Sequence, residues 1–207
     1  SVWPLVGFVA ELPKNLRDEF SILIALHCGS KGANHLMLQP LIEELNSTLI
    51  KPIVFNVKIN GRVVKKQLSV FLLVNICDSP ARSKALNIKG CSSRLGCNVC
   101  LIRTMDDSCK NFLKISELNY RKNDEWRRVA KEVTELKLDT KKDNELILEK
   151  YQGVIGVNPF MSLDYIDLPL ISVTDVMHCV FLGVTKWIID YWISKSPSIV
   201  QNINEKM

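Results

Sequence analysis

The run LSVFLLVNIC, residues 68–77, constrains the fold more than any other stretch of the chain. Its apolar centre, 70–76, is the longest such run in the sequence and falls well short of the roughly 18 residues a membrane-spanning helix needs. A short, near-continuous apolar run of this kind reads as a β-strand covered on both faces, which requires helices packed on a sheet. The strand ends in Asp78-Ser79-Pro80, where Ser79 is a plausible N-cap and Pro80 suits the first helical position, so a helix is expected over 79–86.

Other segments fit the same plan. Residues 2–12 and 20–28 (FSILIALHC) read as strands, the second a buried one. HLMLQPLIEELNSTL, 35–49, carries apolar residues at helical spacing, with Pro40 placed to open the main helix. Residues 53–59 alternate, Asn60-Gly61 supplies a hairpin turn, and a second strand starts at Val63. From 105 to 152 the chain becomes polar and helical, and 172–194 reads as one long amphipathic helix. The expectation is an α/β fold: one sheet containing 2–12, 20–28 and 68–77, with the 35–49 helix packed on it. Residues 1–104 would form the core segment and 105–207 a helical insertion region. Hydrophobic residues make up 47% and charged residues 24% of the 207, a balance that excludes a mostly disordered chain. The chain opens on SVWPLVGFVAEL with no initiator Met and no basic leader, and is read as an internal fragment.

Three groups of residues could carry chemistry. Asp78 stands at the carboxyl end of the most hydrophobic strand, where α/β sheets place ligands, and its hard oxygens suit Mg²⁺. The simpler role from position alone is a cap on the turn that follows. Cys97-Asn-Val-Cys100 has the spacing of half a zinc knuckle, with buried structural cysteines or a redox pair as the alternatives. The odd total of seven cysteines, with no secretory signal, favours a metal knuckle in a reducing compartment over a disulfide framework. Asp175 and His178, three apart on the expected helix, share a face; a capping acid and a histidine facing the core or the insertion are the simplest roles for them. His27 and His35 read as ordinary. The net charge of +5 is compatible with a nucleic-acid partner and does not require one.

Taken in order, these segments resemble a known family. CDSPARSKALNIKGCSSRLGCNVC, 77–100, is similar to the stretch of CACTA-type (En-Spm) DDE transposases that runs from a catalytic Asp through Pro-Ala-Arg and Lys-Gly to a Gly-Cys-x-x-Cys. HLMLQPLIEELNSTL resembles that family's helix with Pro and Glu-Glu-Leu, and SVWPLVGFVAEL the strand after its first catalytic Asp. TDVMHCVFLGVTKWI resembles its Asp-x-Met-His segment. A more distant likeness is to the catalytic subunit of the V(D)J recombinase. The resemblance implies an RNase H-like mixed sheet with flanking helices and an α-helical insertion. It implies three acids holding two Mg²⁺ or Mn²⁺ ions for DNA cleavage and strand transfer, with Asp78 as the second. The first acid would precede residue 1 and the third, a Glu, would follow the insertion; Glu205 lacks the right context. Cys97 and Cys100 would share structural Zn²⁺ with a histidine pair beyond this chain. Transposon ends and target DNA would be the partners, the assembly a homo-oligomer, the location nuclear, with no membrane association. By itself the fragment would be inactive. The alternative is a domesticated or decayed relative that binds DNA or protein without catalysis.

Overall fold

A computed structural model describes residues 2–28, 34–90, 93–103, 118–139 and 142–195. The described residues form a mixed α/β structure whose buried core is mainly helical. Helix α2 (Asn34–Ile50) turns Leu38, Ile42 and Leu45 inward, and α4 (Asn123–Glu135) turns in Trp126, Val129, Ala130 and Val133. Both sets follow the i, i+4, i+7 rhythm of one helix face. They meet Ala85 and Leu86 at the end of α3 (Ser79–Ala85), together with Tyr151, Val154, Phe160, Leu163 and Leu168 from the segment leading into the last strand. Each fully buried side chain of this size contributes about 1.5–3 kcal/mol.

Polar bonds fix the irregular part of that core. Arg127 on α4 donates to the Met161, Leu163 and Ile166 carbonyls at 2.7, 3.1 and 2.9 Å. Asn123 accepts from the Leu168 N–H, and Asn158 donates to the Leu86 carbonyl. A segment containing only a 3-10 turn (Pro159–Ser162) and the short helix α6 (Leu168–Ile171) is thereby held against α4.

Among the described residues the strands fall into three two-stranded ladders rather than the single sheet expected. β1 (Val2–Gly7) and β2 (Ile22–Cys28) pair antiparallel, with the four-residue helix α1 (Lys14–Arg17) between them. β3 (Ile53–Ile59) and β4 (Arg62–Leu68) form the expected hairpin. Its turn has φ of +49° at Asn60 and +80° at Gly61, the geometry the Asn-Gly pair favours. β5 (Asn75–Cys77) runs parallel to β6 (Ser172–Thr174). Helix α5 (Asn144–Glu149) lies in the polar region between α4 and β6.

Several expectations are corrected here. Residues 68–77 are not one buried strand: Leu68 ends β4, Asn75–Cys77 form β5, and 69–74 lie outside any ladder. Side chains bind that intervening backbone instead. Thr48 accepts from the Val70 N–H, Tyr165 accepts from the Leu72 N–H, and Phe71 packs edge-to-face on Tyr165. Phe71, Leu73 and Ile76 are exposed, as are Leu23 and Leu26 of β2, so neither run is covered on both faces among the described residues. Pro40 does not open its helix. It sits inside α2, where it removes the N–H that would bond to the Leu36 carbonyl. Residues 172–194 are not one helix. β-branched Val173 and Thr174 extend as β6, captured by β5, and helix resumes as a π-helical stretch (Met177–Thr185) running into α7 (Lys186–Lys195). No helix among the described residues is long and apolar enough to cross a membrane.

Candidate functional site

The parallel β5–β6 pair sets the geometry. Cys77 and Thr174 are ladder partners, and the Asp175 N–H donates to the Cys77 carbonyl at 3.3 Å. Asp78 and Asp175 therefore leave the carboxyl ends of two adjacent parallel strands side by side, the edge where α/β proteins bind ligands. Asn75 locks the other end by donating to Ser172 Oγ at 3.0 Å. Between them Cys77 packs its thiol on Ser172 Oγ at 3.5 Å; burial pushes that thiol up, with hydrogen bonds from Ser172 and Asn75 acting the other way.

Asp78, not Ser79, is the N-cap of α3. Its Oδ1 accepts from the Ala81 N–H at 2.8 Å, with Pro80 in the first turn. The capping role and the ligand role are compatible, because no bond among the described residues engages Oδ2 and the residue is half-buried. Asp175 also caps. Its Oδ1 accepts from the Met177 N–H at 2.8 Å and its Oδ2 meets His178 Nδ1 at 2.7 Å. His178 and then the Met177 N–H hold the Asp175 carboxyl below the usual aspartate range. His178 is on a helix as expected but faces outward, more than half exposed, rather than into the core. The contact with Asp175 holds the ring, and no residue of the π-helical stretch is buried among the described residues.

The cysteine knuckle adjoins β6 and shares an open cleft with Arg82 and Thr174. Cys97 and Cys100 place their sulfurs 3.5 Å apart, both as free thiols. Two Zn–S bonds of about 2.3 Å at a tetrahedral angle put sulfurs roughly 3.8 Å apart, so the pair fits two corners of a zinc site. Burial raises the Cys100 thiol, while a hydrogen bond from the Ile102 backbone and, more weakly, the Arg121 charge oppose the rise. Asn98, inside the Cys-x-x-Cys, is buried and donates to the Pro169 and Ser172 carbonyls at 2.9 and 3.1 Å, tying the knuckle to the start of β6. Arg121 fastens its far side. It donates to the Cys97, Leu95 and Gln152 carbonyls at 2.8, 3.0 and 2.8 Å and lies over Trp126. Burial pushes the Arg121 guanidinium down to about 10, with Cys97, Cys100 and Glu125 pulling it back, so it is cationic at neutral pH.

Sequence reasoning named Asp78, Asp175, Cys97 and Cys100 separately; the fold brings the first two to one edge and hangs the knuckle beside it. It missed Asn98 and Arg121. Asn98 carried a faint signal, a polar residue enclosed by two cysteines in a tight turn. Arg121 carried none, since a lone arginine in a charged stretch reads as solvated. Cys91, Cys109 and Glu205 lie outside the described residues. Among the described residues no group of three or more His, Cys, Asp or Glu side chains is arranged to hold a metal. Two carboxylates at one edge suit part of the oxygen shell of a hard cation, and two thiols suit half of a zinc shell. No family model, curated protein or solved structure matches the chain.

Proposed function

We propose that this chain is part of the catalytic core of a DDE-type transposase with an RNase H-like plan, most similar to the CACTA group. The observation that carries the reading is the pairing of β5 with β6, which sets Asp78 beside Asp175 at a strand-end edge. The Cys97–Cys100 knuckle, joined to the same strand through Asn98, supports it. In this reading Asp78 is the catalytic acid of the chain and Asp175 positions the neighbouring turn. Mg²⁺ or Mn²⁺ held at this edge would supply charge stabilisation to an in-line phosphoryl displacement, completed by acids outside the chain. Zn²⁺ on Cys97 and Cys100 would be structural. DNA is the partner, acted on by a homo-oligomer in the nucleus.

The test compares the isolated chain with the longer protein that supplies the other acids. The isolated chain neither cleaves nor joins DNA with either metal. In the longer protein Asp78→Asn abolishes both steps while the thermal midpoint holds, because Asn preserves the helix cap. Retained strand transfer in Asp78→Asn would remove the residue from catalysis. DNA binding with no cleavage in the wild-type longer protein would instead favour the domesticated binding module.

A further inference from the structure

The arginines of this protein divide by what they hold. Arg121 and Arg127 each span three backbone carbonyls, and Arg17 wraps the Ala10 and Leu12 carbonyls. Arg94, Arg103 and Arg128 face glutamates. Arg82 does neither. It stands one turn after Asp78 on α3, its N–H bonded to the Asp78 carbonyl, so the two side chains rise on the same face of the helix. Its guanidinium donates to Thr174 Oγ1, the last residue of β6, and to Ser79 Oγ at 3.0 Å. Both partners are neutral hydroxyls, and no carboxylate among the described residues forms an ion pair with it.

A guanidinium has five N–H donors in a planar fork. Two are spent on holding the group in place, from opposite sides, by the helix start and by the strand end. That leaves a half-buried cation with a fixed orientation and donors to spare. It lines an open cleft of about 300 Å³ with Thr174, Ser172 and Cys97, whose other walls include the apolar Val99, Pro169, Leu170 and Val173. The cleft adjoins the edge where Asp78 and Asp175 emerge. A planar, pre-oriented fork flanked by rotatable hydroxyls is matched to a tetrahedral oxyanion, which accepts a bidentate pair from the arginine.

We propose that Arg82, braced by Ser79 and Thr174, binds a phosphodiester group of a nucleic-acid strand and sets it against Asp78. The assignment to a nucleic-acid strand rests on the function proposed above; the oxyanion site itself rests on the cleft. Phosphate binding would keep the two hydroxyls as auxiliary donors, so the whole unit acts together.

The experiment uses the full 207-residue chain and the variants Arg82→Met, Arg82→Lys and Thr174→Val, each checked by thermal melt. Binding of a labelled DNA strand is followed by fluorescence anisotropy across salt, and the Arg82 Nε–H resonance is followed while inorganic phosphate is added. The expected result is that Arg82→Met weakens DNA binding and lowers the salt slope by about one. Arg82→Lys keeps the slope with weaker binding, Thr174→Val weakens binding at unchanged slope, and phosphate shifts the wild-type Nε–H. DNA binding whose salt slope is untouched in a folded Arg82→Met would overturn the inference while leaving the DNA function standing. A phosphate-induced shift without DNA binding would uphold the oxyanion site and remove the nucleic-acid function. An Nε–H unmoved by either would overturn the site. Should Arg82→Met fail to fold, Thr174→Val and the resonance decide.

Discussion

Replacing Arg121 with Met tests whether the knuckle is held by a buried cation. In the wild type three backbone carbonyls take hydrogen bonds from one guanidinium that is only 7% exposed and stacked 5.2 Å over Trp126. Bonds to a charged donor are worth about 1.5 kcal/mol or more each, and the cation–π contact about 1 kcal/mol. Against that, a guanidinium pushed down by burial to about 10 carries a charge-burial cost of roughly 3 kcal/mol at neutral pH. The difference is a net loss of about 2–3 kcal/mol in Arg121→Met. For a domain of this size that lowers the thermal midpoint by roughly 5–10 °C, read by circular dichroism. A local readout accompanies it. Losing the nearby cation pushes the Cys100 thiol further up, so alkylation of the knuckle at mildly alkaline pH slows. Arg121→Lys should recover little, because one ammonium cannot span three diverging carbonyls. A change below about 0.5 kcal/mol in the Met variant, or full recovery in the Lys variant, would refute the reasoning.

Asp175 titrates below an ordinary aspartate, and His178→Ala should return its carboxyl, followed by NMR, most of the way to the ordinary value. The sign follows from a depressed folded-state value: the contribution to stability is present above about pH 4, the unfolded value, and is lost as pH falls through the lower folded one. Gly61→Ala should destabilise the β3–β4 hairpin by about 1 kcal/mol. A Cβ there meets nothing within 4 Å, so the whole cost lies in the +80° φ. An unchanged melt would show that the hairpin does not share in the cooperative unit.

Legibility in the sequence followed how local the determining interaction was. The β3–β4 hairpin and the α3 start were readable because Asn60-Gly61 and Asp78-Ser79-Pro80 act on their own few residues. Helix α2 was readable from its apolar period to within a residue at each end, although Pro40 lies inside it and does not open it. β6 was hidden because three extended residues precede a long apolar stretch that reads as helix, and their conformation is decided by Asn75 and Asn98, distant in sequence. The burial of 68–77 was misjudged for a related reason: an apolar run reports a tendency to be covered, not what covers it. Asp78 was singled out by its position at a strand end. Its neighbour Asp175 could be placed beside it only through a pairing that no local pattern encodes.

The β5–β6 ladder also dictates an order of assembly. Asn75 and Ser172 meet across a separation of 97 residues, and closing a flexible loop of that length costs about 4 kcal/mol beyond the fixed term. Three residue pairs of parallel ladder cannot offset that. The ladder forms only once α3, α4 and the Arg127-braced segment have drawn the two strands together. Contacts of such long range slow folding, and structure that forms last is opened first by local fluctuation. The paired aspartates are thus a late product of folding. Amide exchange at 75–77 and 172–174 should respond to mutations in the α4 core far from either acid, and a ribosome releasing the chain exposes Asp78 long before its neighbour exists.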